Sequence, residues 1–250
     1  TVMINGRGLY ANDTVSMAAQ QQGNDLVTLF VGLPLLAIST WQAFRGSLRG
    51  RLLLTGTLGF FLYTYMSMSM LTSYNALFLV YVALFTLSLY GFILSMLSFD
   101  VRELPDRFSD RLPRRWIAGL LIFVGGFLTI AWLGRIVPPL LSGELPALEN
   151  TTTLVIQAMD LGLIAPLVIL AAILLLKDNA WGYLLASVAL MKGVTMGLAV
   201  SMMAINMARR GVPEQLGVMI PFLAITVLNL IMGTLLLKNV ETSASSKVEG

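Results

Sequence analysis

Asp160 and Lys192 are the two ionisable side chains that lie well inside long apolar stretches of this sequence. A charge at that depth costs at least about 2.5–3.5 kcal/mol on insertion scales, so each needs a partner. A carboxylate facing an ammonium could hold a proton or a small polar ligand. The two flank a short turn between consecutive apolar segments, about 18 and 14 residues from its centre, which puts their levels about 6–7 Å apart at 1.5 Å per residue. A lysine stem spans much of that. Against easy contact, Cα–Cβ bonds tilt toward each helix's N-terminus, which sends Asp160 one way and Lys192 the other. Gln157 lies one turn from Asp160 and Thr195 one turn from Lys192, each at i,i+3, so four polar residues form a strip. Two readings stand side by side: a proton- or ligand-binding pair lining a cavity, and a structural ion pair locking two helices.

Asp25, Tyr74, Asn75, Arg135 and Asn206 fall near the ends of other apolar segments, on the side toward which Asp160 lies. Together they predict the rim of an outward-opening polar pocket. The competing reading is that residues at helix ends are polar because they touch water.

The rest of the composition narrows the chemistry. There is no Cys and no His, so disulfides, thiolate nucleophiles and imidazole bases or ligands are all missing, and no metal or cofactor is expected. Met66, Met68 and Met70 could suggest a Cu(I) site with Met159, Met202, Met203 and Met207 at similar depth, but helical residues two apart point to different faces, which favours packing. A buried lysine in an N-out seven-helix chain suggests retinal. In the rhodopsins that this layout resembles, however, the lysine is on the last helix, whereas Lys192 is on the sixth. With no phosphate loop and no nucleophile–base constellation, the reading leans away from an enzyme. Asn12-Asp-Thr and Asn150-Thr-Thr match the glycosylation acceptor pattern, which a prokaryotic source would make irrelevant.

The elements that must position these residues follow from hydropathy. Of 250 residues, 57% are hydrophobic and 12% charged, with a mean hydropathy of +0.82, whereas soluble domains are about 25% charged. Apolar runs of about 20 residues are long enough to cross about 30 Å of hydrocarbon as helices. Seven can be drawn: 25–44, 51–70, 74–99, 116–137, 154–176, 180–207 and 216–237. The fold class is therefore all-α, a polytopic seven-helix transmembrane bundle. The three-residue gaps at 71–73 and 177–179 predict tight antiparallel hairpins.

Arg and Lys number 11 on one side and 4 on the other, with Lys192 completing the 16. The richer side is expected to be cytoplasmic, giving an N-out, C-in chain in a cell membrane. Three regions result: 1–24 as an extracytoplasmic segment, 25–238 as the transmembrane domain with a solvated inner loop at 100–115, and 239–250 as a disordered cytoplasmic tail. Because the basic residues sit in short loops beside apolar runs, they argue for membrane orientation and against nucleic acid. Gly182, Ala186, Ala189, Gly193 and Gly197 form a small-residue stripe suited to close helix packing. No repeat of the inverted kind is evident.

The strings Ser47-Leu-Arg-Gly-Arg-Leu-Leu-Leu-Thr-Gly-Thr-Leu-Gly, Tyr74-Asn-Ala-Leu-Phe-Leu-Val-Tyr-Val-Ala-Leu-Phe, Trp181-Gly-Tyr-Leu-Leu and Lys192-Gly-Val-Thr-Met-Gly, with Asp160, resemble a family of uncharacterised prokaryotic polytopic membrane proteins. The resemblance spans most of the chain from Gly23 to Leu237 and implies a bacterial or archaeal cell membrane, with no activity to carry over. The expected function is to bind or transport a small solute or ion through the outer-half pocket. The alternative is an accessory or scaffold subunit that contacts membrane-protein partners through the stripe and the inner loop, and an intramembrane enzyme is the weaker third reading.

Overall fold

The computed structural model describes residues 3–212 and 216–241. Seven long helices follow one another: α1 (Val15–Phe44), α2 (Leu48–Leu71), α3 (Phe78–Leu97), α4 (Arg114–Ser142), α5 (Val155–Leu176), α6 (Ala180–Arg209) and α7 (Leu216–Lys238). Among the described residues there is no strand. Six of the seven are long and apolar enough to cross a membrane, and the exception is α2. That helix lies against α1, α3 and α6 and buries Thr55, Thr57, Tyr63 and Thr64. Being enclosed, it has less need of a lipid-facing apolar surface.

The two ends of the bundle are knit by different side chains. At one end Arg49 donates to the Val240 carbonyl at 2.6 Å, Arg51 donates to Ser98, and Arg114 meets Asp178 and Tyr183. At the other end Asn12 donates to the Tyr74 carbonyl, Thr14 to Glu149, and Arg210 to Asn5 and Gln22.

Three differences from the sequence reading have physical causes. The first helix begins at Val15 rather than Asp25: Thr14 caps it by accepting from the Met17 amide, Ala19 and Gly23 face α6, and Ala18 packs with Met68 of α2 and Tyr81 of α3. A Cβ on Gly23 would lie 2.8 Å from the Met203 backbone. These turns look polar in sequence because packing there relies on small residues rather than large apolar ones. Second, the α2–α3 connection is longer than three residues, since Asn75 accepts from the Leu77 amide and delays α3 to Phe78. Third, the inner loop is anchored as well as solvated. It forms two short 3₁₀ turns, and Leu104, Phe108 and Leu112 join the main core cluster. Beyond it, Phe108 bridges to Val240; the tail at 242–250 lies outside the described residues.

The hairpins α1–α2 and α5–α6 repeat one another in register. Pro34 and Pro166 are 132 positions apart (166 − 34 = 132), and at that offset the two coincide feature by feature. Each first helix widens into one π-helical turn just ahead of its proline, at Thr28–Gly32 and at Asp160–Ile164. Each ends at a basic residue, Arg45 or Lys177, followed by a residue of positive φ, Gly46 at 78° or Asp178 at 55°. Ser47 and Asn179 then cap the second helices. Three residues on, Gly50 and Gly182 admit the backbone of the first helix at Gln42–Ala43 and at Leu174–Leu175. Thr55 and Ser187 both donate back to the carbonyl four residues earlier. The two hairpins are a direct repeat, distinct from the inverted kind sought in the sequence.

Candidate functional site

Asp160 opens the π-helical turn of α5 and is 7% exposed. Such turns inside α-helices are frequent at functional sites. Each carboxylate oxygen accepts one hydrogen bond: the Tyr63 hydroxyl of α2 donates to Oδ1 at 2.7 Å, and the Trp132 indole of α4 donates through Nε1 to Oδ2 at 2.8 Å. Lys192 of α6 lies on the far side of the tyrosine, its Nζ 4.0 Å from the Tyr63 ring centre. There is no Asp160–Lys192 ion pair within 4.0 Å among the described residues. Tyr63 contacts both groups, Asp160 through its hydroxyl and Lys192 through its ring face. A cation over a desolvated ring gains about 2 kcal/mol.

Four helices thus converge on one cluster, in which Tyr63 and Asp160 are buried and Trp132 and Lys192 half-buried. Its chemistry is asymmetric, because an indole N–H can only donate whereas a phenol hydroxyl can donate or accept. The Tyr63 hydroxyl can therefore either donate to Oδ1, as it does here, or accept from it. Trp132 holds Oδ2 as an acceptor throughout.

The other predicted residues are placed as follows. Gln157 is buried one turn before Asp160, and Thr195 returns its hydroxyl to the Lys192 carbonyl of its own helix at 3.0 Å. Asp25 accepts from the Tyr10 hydroxyl at 2.7 Å, beside a small cluster of Tyr10, Ala18, Met68 and Tyr81. Burial, then the charge of Asp25, push the Tyr10 phenol well above its usual range, so it stays a donor. The Tyr74 ring is exposed and packs on Phe78, Asn75 accepts from the Leu77 amide in the turn before α3, Arg135 donates to the Ala147 carbonyl, and Asn206 donates to the Ala19 carbonyl. None of these rim hydrogen bonds reaches Asp160 or Lys192. α2 stays helical through Leu71, so Met66, Met68 and Met70 face different directions.

Tyr63 and Trp132 are the partners of Asp160 that the sequence reading missed. Their signal was available: a phenol and an indole deep within apolar segments, away from the interface that suits them, each require a hydrogen-bond partner. The small-residue stripe is consumed within the chain. Gly182 faces α5, and Gly193 and Gly197 face Asn229 and Thr226 of α7. No group of three or more carboxylate, imidazole or thiolate side chains suited to a metal occurs among the described residues.

No family model, curated protein or solved structure matches the chain. Fold and composition themselves define the class: an all-helical multi-pass membrane protein, with Asp160 and Tyr63 buried between its helices.

Proposed function

We propose that this protein binds a small solute or ion, with Asp160 as the group that exchanges protons and Lys192 as its electrostatic partner through Tyr63. The observation that carries this reading is the buried carboxylate at a π-helical turn, held by one donor that can reverse and one that cannot. Ionisable groups inside a membrane are costly and mark ion or substrate paths by default. In this reading the chain lies N-out and C-in in a cell membrane, its Arg-rich end in the cytoplasm. The pocket rim of Asp25, Tyr74, Asn75, Arg135 and Asn206 then lies on the outer side.

The test is a thermal-shift screen of purified protein against alkali cations, small anions, amino acids and organic acids, run in parallel on Asp160→Asn. A ligand that stabilises the parent and leaves the variant unmoved supports the reading. Equal shifts in both remove Asp160 from the site.

The scaffold reading loses one of its two surfaces, because Gly182, Gly193 and Gly197 are occupied by α5 and α7. Its remaining surface is the exposed part of the inner loop.

A further inference from the structure

We infer that the groove between α1, α2 and α3 at the Arg-rich end holds one anionic glycerophospholipid from the adjoining leaflet. The groove has a volume of about 370 Å³ and is graded along its length. At its outer end stand Arg51 and Ser98, and one turn deeper are Ser95 and Leu54. Below those, Leu58 and Gly91 make it wholly apolar. From Arg51 to Leu58 is about 10 Å of helix, the span of a phosphate ester and the upper part of an acyl chain.

Charge selects the headgroup. Arg51 is fixed by donating through Nη2 to the Ser98 carbonyl and hydroxyl and by lying 4.5 Å from the Phe99 ring centre. Those hydrogen bonds use Nη2, and a guanidinium has further donors that suit a phosphate oxygen. Arg49 is spent on the Val240 carbonyl, and Arg45 stacks on Trp41, so Arg51 is the cation that lines the groove. Basic pockets between membrane helices suit anionic lipid headgroups.

The direct repeat shows why the groove is open. At the 132-residue offset, Thr40, Ala43, Leu54 and Leu58 correspond to Ala172, Leu175, Ala186 and Leu190, and Arg51 to Tyr183. All five counterparts are buried, in a core cluster shared with Ile117 and Leu121 of α4 and Phe108 of the inner loop. In the second hairpin the chain covers this face itself; in the first, all five residues remain part-exposed on the membrane side. An arginine in place of the buried tyrosine adapts the uncovered copy to a charged amphiphile.

The test uses the delipidated full chain in neutral detergent, titrated with phosphatidylglycerol and with phosphatidylcholine of the same acyl chains, bound lipid being counted by native mass spectrometry. One phosphatidylglycerol is expected to bind at least tenfold more tightly than phosphatidylcholine, and Arg51→Gln should abolish that preference. Because Arg51 also ties α2 to α3, Gly91→Leu is the second variant. A Cβ at Gly91 meets only the Leu58 side chain, at 3.5 Å, so the larger side chain fills the groove and should weaken binding of both lipids. Glycerol phosphate should bind far more weakly than the lipid. Equal affinity for the two lipids, indifference to both variants, or glycerol phosphate binding as tightly as the lipid would overturn the inference. So would a second copy of this chain cross-linked through Ser95, which would make the groove a protein interface.

Discussion

Tyr63 donates its hydroxyl proton to Asp160 across 2.7 Å while its ring carries the Lys192 ammonium on the other side. One aromatic residue thus touches both groups, one at its hydroxyl and the other at its ring face. A cation over the ring withdraws electron density and strengthens the phenol as a donor, so a change of charge at either end is felt at the other.

Tyr63→Phe keeps the ring under Lys192 and removes the donor to Oδ1. The expected loss is about 1.5–3 kcal/mol, as for a hydrogen bond to a charged group. Tyr63→Leu removes the ring as well, and its melting temperature in detergent should fall further. Equal melting temperatures for the two variants would show that the ammonium gains nothing from the ring.

Asp160→Asn can satisfy both neighbours, its amide oxygen facing Trp132 and its NH₂ facing a reversed Tyr63 hydroxyl. Its cost is therefore the Lys192 charge left without a nearby carboxylate, which should fall below the roughly 3–5 kcal/mol of a buried pair in direct contact. Lys192→Met should cost a similar amount, and the double variant should recover much of the loss. Strictly additive losses in this double-mutant cycle would mean that Tyr63 transmits nothing.

Glycine substitutions should divide by contact. Gly182 meets the Leu175 backbone nitrogen 2.2 Å from where a Cβ would sit, whereas nothing lies within 4 Å of that point at Gly119. Gly182→Ala must push α5 and α6 apart and should cost about 1–3 kcal/mol. Gly119→Ala should stabilise α4 by roughly 0.5–1 kcal/mol through helix propensity. Melting curves of the two variants check this, and a harmless Gly182→Ala would refute the close approach.

How far the sequence foretold this depended on the kind of signal. Hydropathy placed six of the seven helices within a few residues at most ends, because apolar length is dictated locally by the bilayer. It misjudged the start of α1, where Ala19 and Gly23 meet α6 and Ala18 meets Met68 and Tyr81, all without large side chains of their own. Asp160 and Lys192 stood out because a charge in an apolar run is conspicuous at any alignment. Their relation to each other did not, since Tyr63 lies 97 positions from Asp160 in the chain and no local pattern links them. The direct repeat was hidden for a related reason. It resides in turn geometry, caps and a backbone approach at Gly50 and Gly182, which few identical residues record.

Topology has a direct check. The basic asymmetry predicts an N-terminus outside and a C-terminus inside. A tag at the N-terminus should be reached by a protease added to intact cells, and one at the C-terminus only after permeabilisation. The reverse pattern would move the rim of Asp25 and Asn206 to the cytoplasmic side.

The central claim, that Asp160 exchanges protons through Tyr63, is tested most directly by infrared titration of the protein in lipid vesicles between alkaline and acid buffer. The account predicts a protonated-carboxyl band that grows on acidification, is missing in Asp160→Asn, shifts in Tyr63→Phe and survives in Trp132→Phe. A spectrum with no Asp160-dependent band across the titration would contradict it and leave the cluster as a sealed structural lock between α2, α4, α5 and α6.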